Sequence, residues 1–156
     1  MMPPLDASLL SRASSRATQG SRAQVSLRTP SVVWCMMVVA VVKLSLHVGG
    51  FSWTLRWLRR RAGSIPETIS PKLDALKPTE YAVAMAAALY PGRALCLEQS
   101  LALYWLLRRR GVGITYCHGV QAHPFAAHAW IEYRGVVLND VVEHTKHFTR
   151  LPPQLP

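Results

Sequence analysis

The chain has 156 residues, 18 Lys/Arg against 8 Asp/Glu for a formal net charge of +10, and 50% hydrophobic residues. That length allows one domain with a real core and excludes two large ones. Three cysteines without paired spacing argue against a disulfide scaffold and fit a reducing compartment.

The excess charge belongs to the front of the chain: residues 1–66 carry nine basic residues against the single acid Asp6, and residues 67–156 carry nine against seven. Residues 1–30 are rich in Ser, Arg, Ala and Thr without an apolar period, and read as a disordered basic arm. Met36 or Met37 would serve as alternative starts.

Residues 31–63 read as apolar and basic–aromatic helices. Val32 to Val42 is an unbroken apolar run, interrupted afterwards by Lys43, Ser45 and His47 before Gly49-Gly50. It falls short of the roughly 20 apolar residues that a bilayer span needs, and no small-x-small cleavage site follows, which argues against membrane contact. A helix buried against the domain or a partner is expected instead. After Gly50, Phe51, Trp53, Leu55, Trp57 and Leu58 alternate with Arg56, Arg59, Arg60 and Arg61. This segment reads as a basic helix end or a docking surface for an acidic partner. No recognition motif accompanies the basic residues, so nucleic acid is not expected.

Residues 64–78, punctuated by Pro66, Pro71 and Pro78, read as a linker, and 79–156 as the catalytic core. Thr79 is a candidate cap for a helix from Glu80 to about Leu89. Pro91-Gly92 breaks that helix, and a short loop delivers Cys96 to the next, in which Leu97, Leu101, Tyr104, Trp105 and Leu107 form an apolar stripe. Arg108-Arg109-Arg110 and Gly111 end it, far from Cys96. Ile114 to Val120 alternates as a strand, 121–126 is a loop, and a hairpin follows. The expected fold is α+β, helices packed on one face of a small antiparallel sheet.

Cys96 at a helix start, His128 in Ala-His-Ala-Trp-Ile-Glu-Tyr and Asp140 ending Val-Val-Leu-Asn-Asp are the candidate catalytic residues. A helix N-terminus stabilises a thiolate, a histidine in reach takes the thiol proton, and a carboxylate orients the imidazole. A three-residue loop Tyr133-Arg134-Gly135 would pair Glu132 with Val136 and set His128 opposite Asp140 on one face. A two-residue Arg134-Gly135 turn would send the two to opposite faces. The longer loop is therefore expected. Cys35 and Cys117 read as buried small hydrophobes.

No metal ligand set assembles: His118, His123 and His128 lie at intervals of five, and His144 and His147 read as exposed tail residues. No Gly-rich phosphate loop is visible, and no cofactor is expected.

The run from Cys96 to Gly111, with Ala127–Glu132 and Val137–Asp140, closely resembles the lasso-peptide B proteins, leader peptidases of the transglutaminase-like, papain-type class. The resemblance covers about residues 80 to 141, and 55–60 more loosely. It implies a cytoplasmic bacterial cysteine peptidase that removes the leader from a lasso precursor peptide through Cys96, His128 and Asp140. It also implies a separate leader-recognition protein of the B1 type, and an ATP-dependent lasso cyclase that receives the core peptide and to which any nucleotide need belongs. The alternatives are a membrane-associated protein and a non-catalytic peptide-binding partner.

Overall fold

A computed structural model describes residues 27–63, 66–92 and 94–152. Most of the expected basic arm, residues 1–26, lies outside the described residues, as do 64–65 of the linker and Arg93 of the loop before Cys96.

The first helix, α1 (Val32–Gly63), is two straight segments joined at Gly50, whose φ of 71° and ψ of 178° are open to glycine and strained for other residues. A one-turn 3₁₀ helix (Leu73–Ala75) leads into α2 (Lys77–Leu89), and α3 (Cys96–Arg108) follows. Then come β1 (Ile114–Gln121), β2 (Ala126–Tyr133), β3 (Val136–Val137), the short α4 (Val142–Thr145) and β4 (Thr149–Arg150). The sheet is antiparallel in the order β3-β2-β1-β4, so the fold is α+β.

The core forms where the three long helices meet the sheet. Cys35, Val38, Val39 and Val42 of α1 pack with Val83 and Ala86 of α2 and with Leu101, Leu103 and Leu107 of α3, all essentially buried. Burying each such Val or Leu contributes about 1.5–3 kcal/mol. Tyr116 and Ala129 lie on the α3 side of the sheet with Ile131. Cys117, His128, Trp130 and Glu132 lie on the opposite face, over which the C-terminal segment folds. Arg150 forms an ion pair with Glu132 and lies over the Trp130 ring, and Leu151 N–H donates to His118 O at 2.9 Å. Gly119 permits the close approach, since a Cβ there would lie 2.8 Å from Thr149 O.

Two local expectations are corrected. The second long helix begins at Lys77, capped by Leu76, with Pro78 in its first turn; Thr79 is buried inside it, and its Oγ1 accepts from Arg110 at 3.1 Å. Proline fits a first turn because no intrahelical N–H bond is needed there.

The hairpin turn is also shorter than expected. Tyr133 pairs with Val136 and Glu132 with Val137, leaving the two-residue turn Arg134-Gly135. Both residues have positive φ, 51° and 80°, which is the type I′ pattern whose twist matches paired strands. The strand expected to run to Asp140 stops at Val137, and residues 138–140 bend out of the ladder.

At the far end of α3, Gly111 O accepts from Thr68 and Ile69 N–H at 3.1 and 3.2 Å, seating the segment that leads to α2. Gly111 has φ +74°, and a Cβ there would collide with Thr68 Oγ1. We expect Gly111→Ala to lower folding stability by about 1–2 kcal/mol, the cost of a left-handed non-glycine residue, measured by urea unfolding. An unchanged midpoint would show that this seat is not formed.

Candidate active site

Cys96 owes its position to a short, well-anchored loop. Lys43 of α1 reaches across to donate to Gly92 O at 2.7 Å, and Gln99 Nε2 donates back to Ala94 O at 2.9 Å. Leu95 N–H donates to the Glu98 carboxylate at 3.0 Å, fixing the first turn that begins at Cys96. The Cys96 N–H is among the first four of its helix, which have no intrahelical acceptor.

Cys96 and His128 line one cavity of about 190 Å³. Its other walls are largely apolar or small: Phe51, Leu97, Tyr116, Val120, Ala127 and Ala129 among them. His118 also borders it, stacked on Tyr116 with ring centroids 5.7 Å apart. Burial, with help from Arg59, holds the His118 imidazole below its ordinary pKa and so favours the neutral ring. The three thiols differ in setting. Burial raises the pKa of Cys35, and burial with Glu132 nearby pushes Cys117 up to about 11. Cys96 is partly exposed on the cavity wall.

His128 Nε2 is hydrogen-bonded to Asp140 Oδ2. That leaves Nδ1 as the ring nitrogen available to exchange a proton. Asp140 is well supplied with donors: Val141 N–H reaches Oδ1 at 2.7 Å, and His144 Nδ1 lies 2.8 Å from Oδ2. Burial works to raise the Asp140 pKa, but the hydrogen bonds from His144, Val141 and His128 outweigh it and hold the carboxyl below the usual aspartate value.

The contact between His128 and Asp140 arises by a route different from strand register. The two-residue turn would have placed them on opposite faces had the ladder continued. The ladder makes one more bond, Leu138 N–H to Ile131 O at 3.0 Å, and then ends because the Asn139 side chain takes the Ile131 N–H. Asn139 Oδ1 accepts from Ile131 N–H at 2.8 Å, where a backbone carbonyl would otherwise pair. Asn139 Nδ2 donates to Ser100 Oγ, and Ser100 Oγ donates to Ala129 O, each at 2.8 Å. Ser100 lies one helical turn after Cys96, Ala129 follows His128, and Asn139 precedes Asp140. One buried junction thus joins the neighbours of all three candidate residues.

Sequence reasoning passed over Ser100, Asn139 and His144. Ser100 sat among apolar residues on a helix, and Asn139 was expected to face away from the site on a strand. His144, expected to be an exposed tail residue, is half exposed but bonds Asp140; its ring centroid lies 4.7 Å from that of His128 and 5.2 Å from that of Phe148. The spacing Asp140-x3-His144 at the start of α4 was the available signal.

Among the described residues, His128, Asp140 and His144 are the group able to hold a metal ion, with ligand atoms all within 4.8 Å of one another. Two imidazoles and a carboxylate suit zinc. In this structure the His128 and His144 rings each bond to Asp140 Oδ2.

The profile of the transglutaminase-like superfamily matches residues 37–152. No curated protein matches the chain, and no solved structure does. The match runs from within α1 to beyond β4 and takes in the cavity with all of its lining residues. The chain therefore belongs to the transglutaminase-like superfamily, whose members include cysteine peptidases.

Proposed function

We propose that this protein is a cysteine peptidase that removes the leader from a lasso-peptide precursor. The observation that carries the reading is a helix-start cysteine sharing a cavity wall with a histidine that is bonded to a carboxylate. The resemblance of residues 80–141 to the lasso-peptide B proteins supplies the substrate class. On this reading the protein works in the cytoplasm. A separate recognition protein presents the leader and raises its effective concentration at the site. The core peptide then passes to an ATP-dependent cyclase.

The chemistry follows from the atoms. His128 Nδ1 takes the Cys96 proton, while Asp140 at Nε2 stabilises the resulting imidazolium. The Cys96 sulfur adds to the scissile carbonyl carbon, and the Cys96 N–H stabilises the oxyanion from the helix N-terminus. His128 returns the proton to the departing amine, whose C–N bond breaks to leave a thioester on Cys96. Water, deprotonated by the same imidazole, adds to the thioester; the C–S bond breaks and the leader leaves with a free carboxylate. The cavity's apolar wall is suited to hold a side chain next to the scissile bond and to exclude bulk water there.

Three results are expected on full-length precursor with its recognition protein, followed by mass spectrometry. Cys96→Ala abolishes leader removal, whereas Cys35→Ala and Cys117→Ala retain a substantial fraction. Asp140→Asn retains the fold and lowers turnover by several orders of magnitude, about 10⁴ in a comparable triad. Loss of cleavage in a folded Cys117→Ala protein equal to that in Cys96→Ala would sink the assignment.

The Ser100 junction makes a separate prediction. Ser100→Ala leaves Asn139 Nδ2 and Ala129 O without this partner, and Asn139→Leu leaves Ile131 N–H without its acceptor and Ser100 Oγ without its donor. Each is expected to lower stability by about 1–3 kcal/mol, the penalty for an unsatisfied buried polar group. Turnover should also fall at temperatures where the variants remain folded. Wild-type turnover in both folded variants would show that the junction does not set the site's geometry.

The pH dependence has a definite sign. A carboxyl whose pKa is lowered on folding adds stability above the unfolded aspartate pKa of about 3.9, and this is lost as pH falls through the lower, folded value. Stability should thus decline in acid, and the decline should be shallower in Asp140→Asn. His144→Ala removes one of the donors that lower the pKa and should move the loss to higher pH. Identical acid unfolding profiles for wild type and His144→Ala would contradict this.

A further inference from the structure

The outer face of α1 is apolar along its whole first segment. Val33, Trp34, Met37, Val41, Leu44 and Val48 are 40–77% exposed and recur every three or four residues. They form one ridge about 22 Å long, at 1.5 Å per residue. Beside it His47 is exposed. Lys43 bonds the loop before Cys96, and Ser45 Oγ donates to Val41 O at 2.7 Å within the helix. The ridge passes through Gly49 and, beyond the kink, onto Trp53, whose ring lies against Gly49 and which is 46% exposed. Trp53 stacks on Trp57 with centroids 6.3 Å apart, and these two line a cleft with Arg56 and Arg60.

Spanning a bilayer is inconsistent with this fold. α1 is long and apolar enough to cross one. Its other face, however, carries Cys35, Val38, Val39 and Val42 into the core against α2 and α3. A helix whose inner face holds its own domain together and whose outer face is apolar is built to lie against a surface.

Charge says which surface. No acidic residue occurs between Asp6 and Glu67, while Arg28, Lys43, Arg56, Arg59, Arg60 and Arg61 fall inside that interval. Arg28 precedes the ridge and Arg56 and Arg61 follow it, so a second copy seated antiparallel on it would bring these flanking cations together. Half-exposed Trp34 near one end and Trp53 at the other are side chains favoured at the boundary between lipid headgroups and hydrocarbon. We infer that the α1 ridge docks this protein peripherally on an anionic membrane surface, with Val33, Met37, Val41, Leu44 and Val48 in the acyl boundary and Arg56 at the headgroups. The apolar run argues against a span or a signal peptide; the exposed ridge offers a different mode, peripheral docking, compatible with a cytoplasmic peptidase.

The test is sedimentation of the full-length protein with vesicles, either pure phosphatidylcholine or 3:1 phosphatidylcholine to phosphatidylglycerol, with its oligomeric state read by light scattering. The monomer should sediment with the phosphatidylglycerol vesicles, and less so at high salt, where the attraction is screened. Met37→Glu/Leu44→Glu should weaken this at least about tenfold, the loss of two partly buried apolar side chains. Arg56→Glu should weaken it by a factor of about five, close to 1 kcal/mol per cation at a charged surface. Circular dichroism and Cys96 labelling, both unchanged, confirm the fold of each variant. No sedimentation of the wild type, or equal sedimentation of the double variant, overturns the proposal. So does a wild-type dimer that Met37→Glu/Leu44→Glu dissociates, or loss of vesicle binding to a leader-recognition protein competing for the ridge. The peptidase reading survives any of these outcomes, because it is tested on Cys96.

Discussion

The Ser100 hydroxyl is the point through which the helical and sheet halves of this site are held in register. A serine has one proton to give and lone pairs to accept with, and here both capacities are used: it donates to Ala129 O and accepts from Asn139. Asn139 in turn uses its oxygen on Ile131 N–H. Ser100 is fully buried, Asn139 half-buried, and each of these contacts is made, the condition under which a polar cluster specifies one geometry instead of weakening the core. The consequence is positional. A helix can slide along a sheet by a fraction of a turn with little change in apolar contact, but not while a fully buried hydroxyl must meet one carbonyl and one amide. Misplacing a reacting group by about 1 Å can cost 10²-fold in rate. Ser100 fixes the start of α3, where Cys96 sits, relative to β2 and the bend that carries Asp140.

The parts of this arrangement that the sequence made legible are those governed by period and by local chemistry. The apolar stripe of α3, the alternation of Ile114, Tyr116, His118 and Val120, and the glycine break before Phe51 all depend on neighbours in the chain. The turn did not yield to the same reasoning. Arg134 has to adopt a positive φ, which an arginine alone does not advertise, and the three-residue alternative left it unstrained. The expectation of a His128–Asp140 contact survived only because strand alternation ceases at Val137. Beyond that residue the side chain of Asn139 stands in for backbone, and the register argument has no ladder on which to act. His144 was missed for a related reason: a helix of four residues, Val142–Thr145, leaves no period in the sequence.

Asp140 shows how crowding and charge combine. Its carboxylate takes two imidazoles and a backbone N–H, and those donors overcome the burial that would otherwise raise its pKa. A carboxylate held ionised in this way fixes the His128 ring by Nε2 and leaves Nδ1 outside that bond. The C-terminal segment contributes to the same end. Phe148 packs against His128 with centroids 5.1 Å apart, and Arg150 anchors that segment through Glu132. The face of the sheet carrying His128 is therefore roofed by residues that follow the site in the chain.

The two faces of α1 present a question of pattern that sequence cannot resolve. Where both sides of a helix are apolar, periodicity gives no direction, and burial is decided by what the rest of the chain brings to it. Here α2 and α3 cover one side and leave the other outward. An exposed apolar ridge ordinarily drives association, and a high net charge of one sign opposes it by keeping copies apart. With a formal charge of +10, this chain has that opposition, carried largely by basic residues before and after the ridge. The repulsion that keeps copies apart becomes attraction toward a negatively charged surface. The same helix also supplies Phe51 to the cavity wall and Lys43 to the loop ahead of Cys96, so the element that faces outward is structurally continuous with the site.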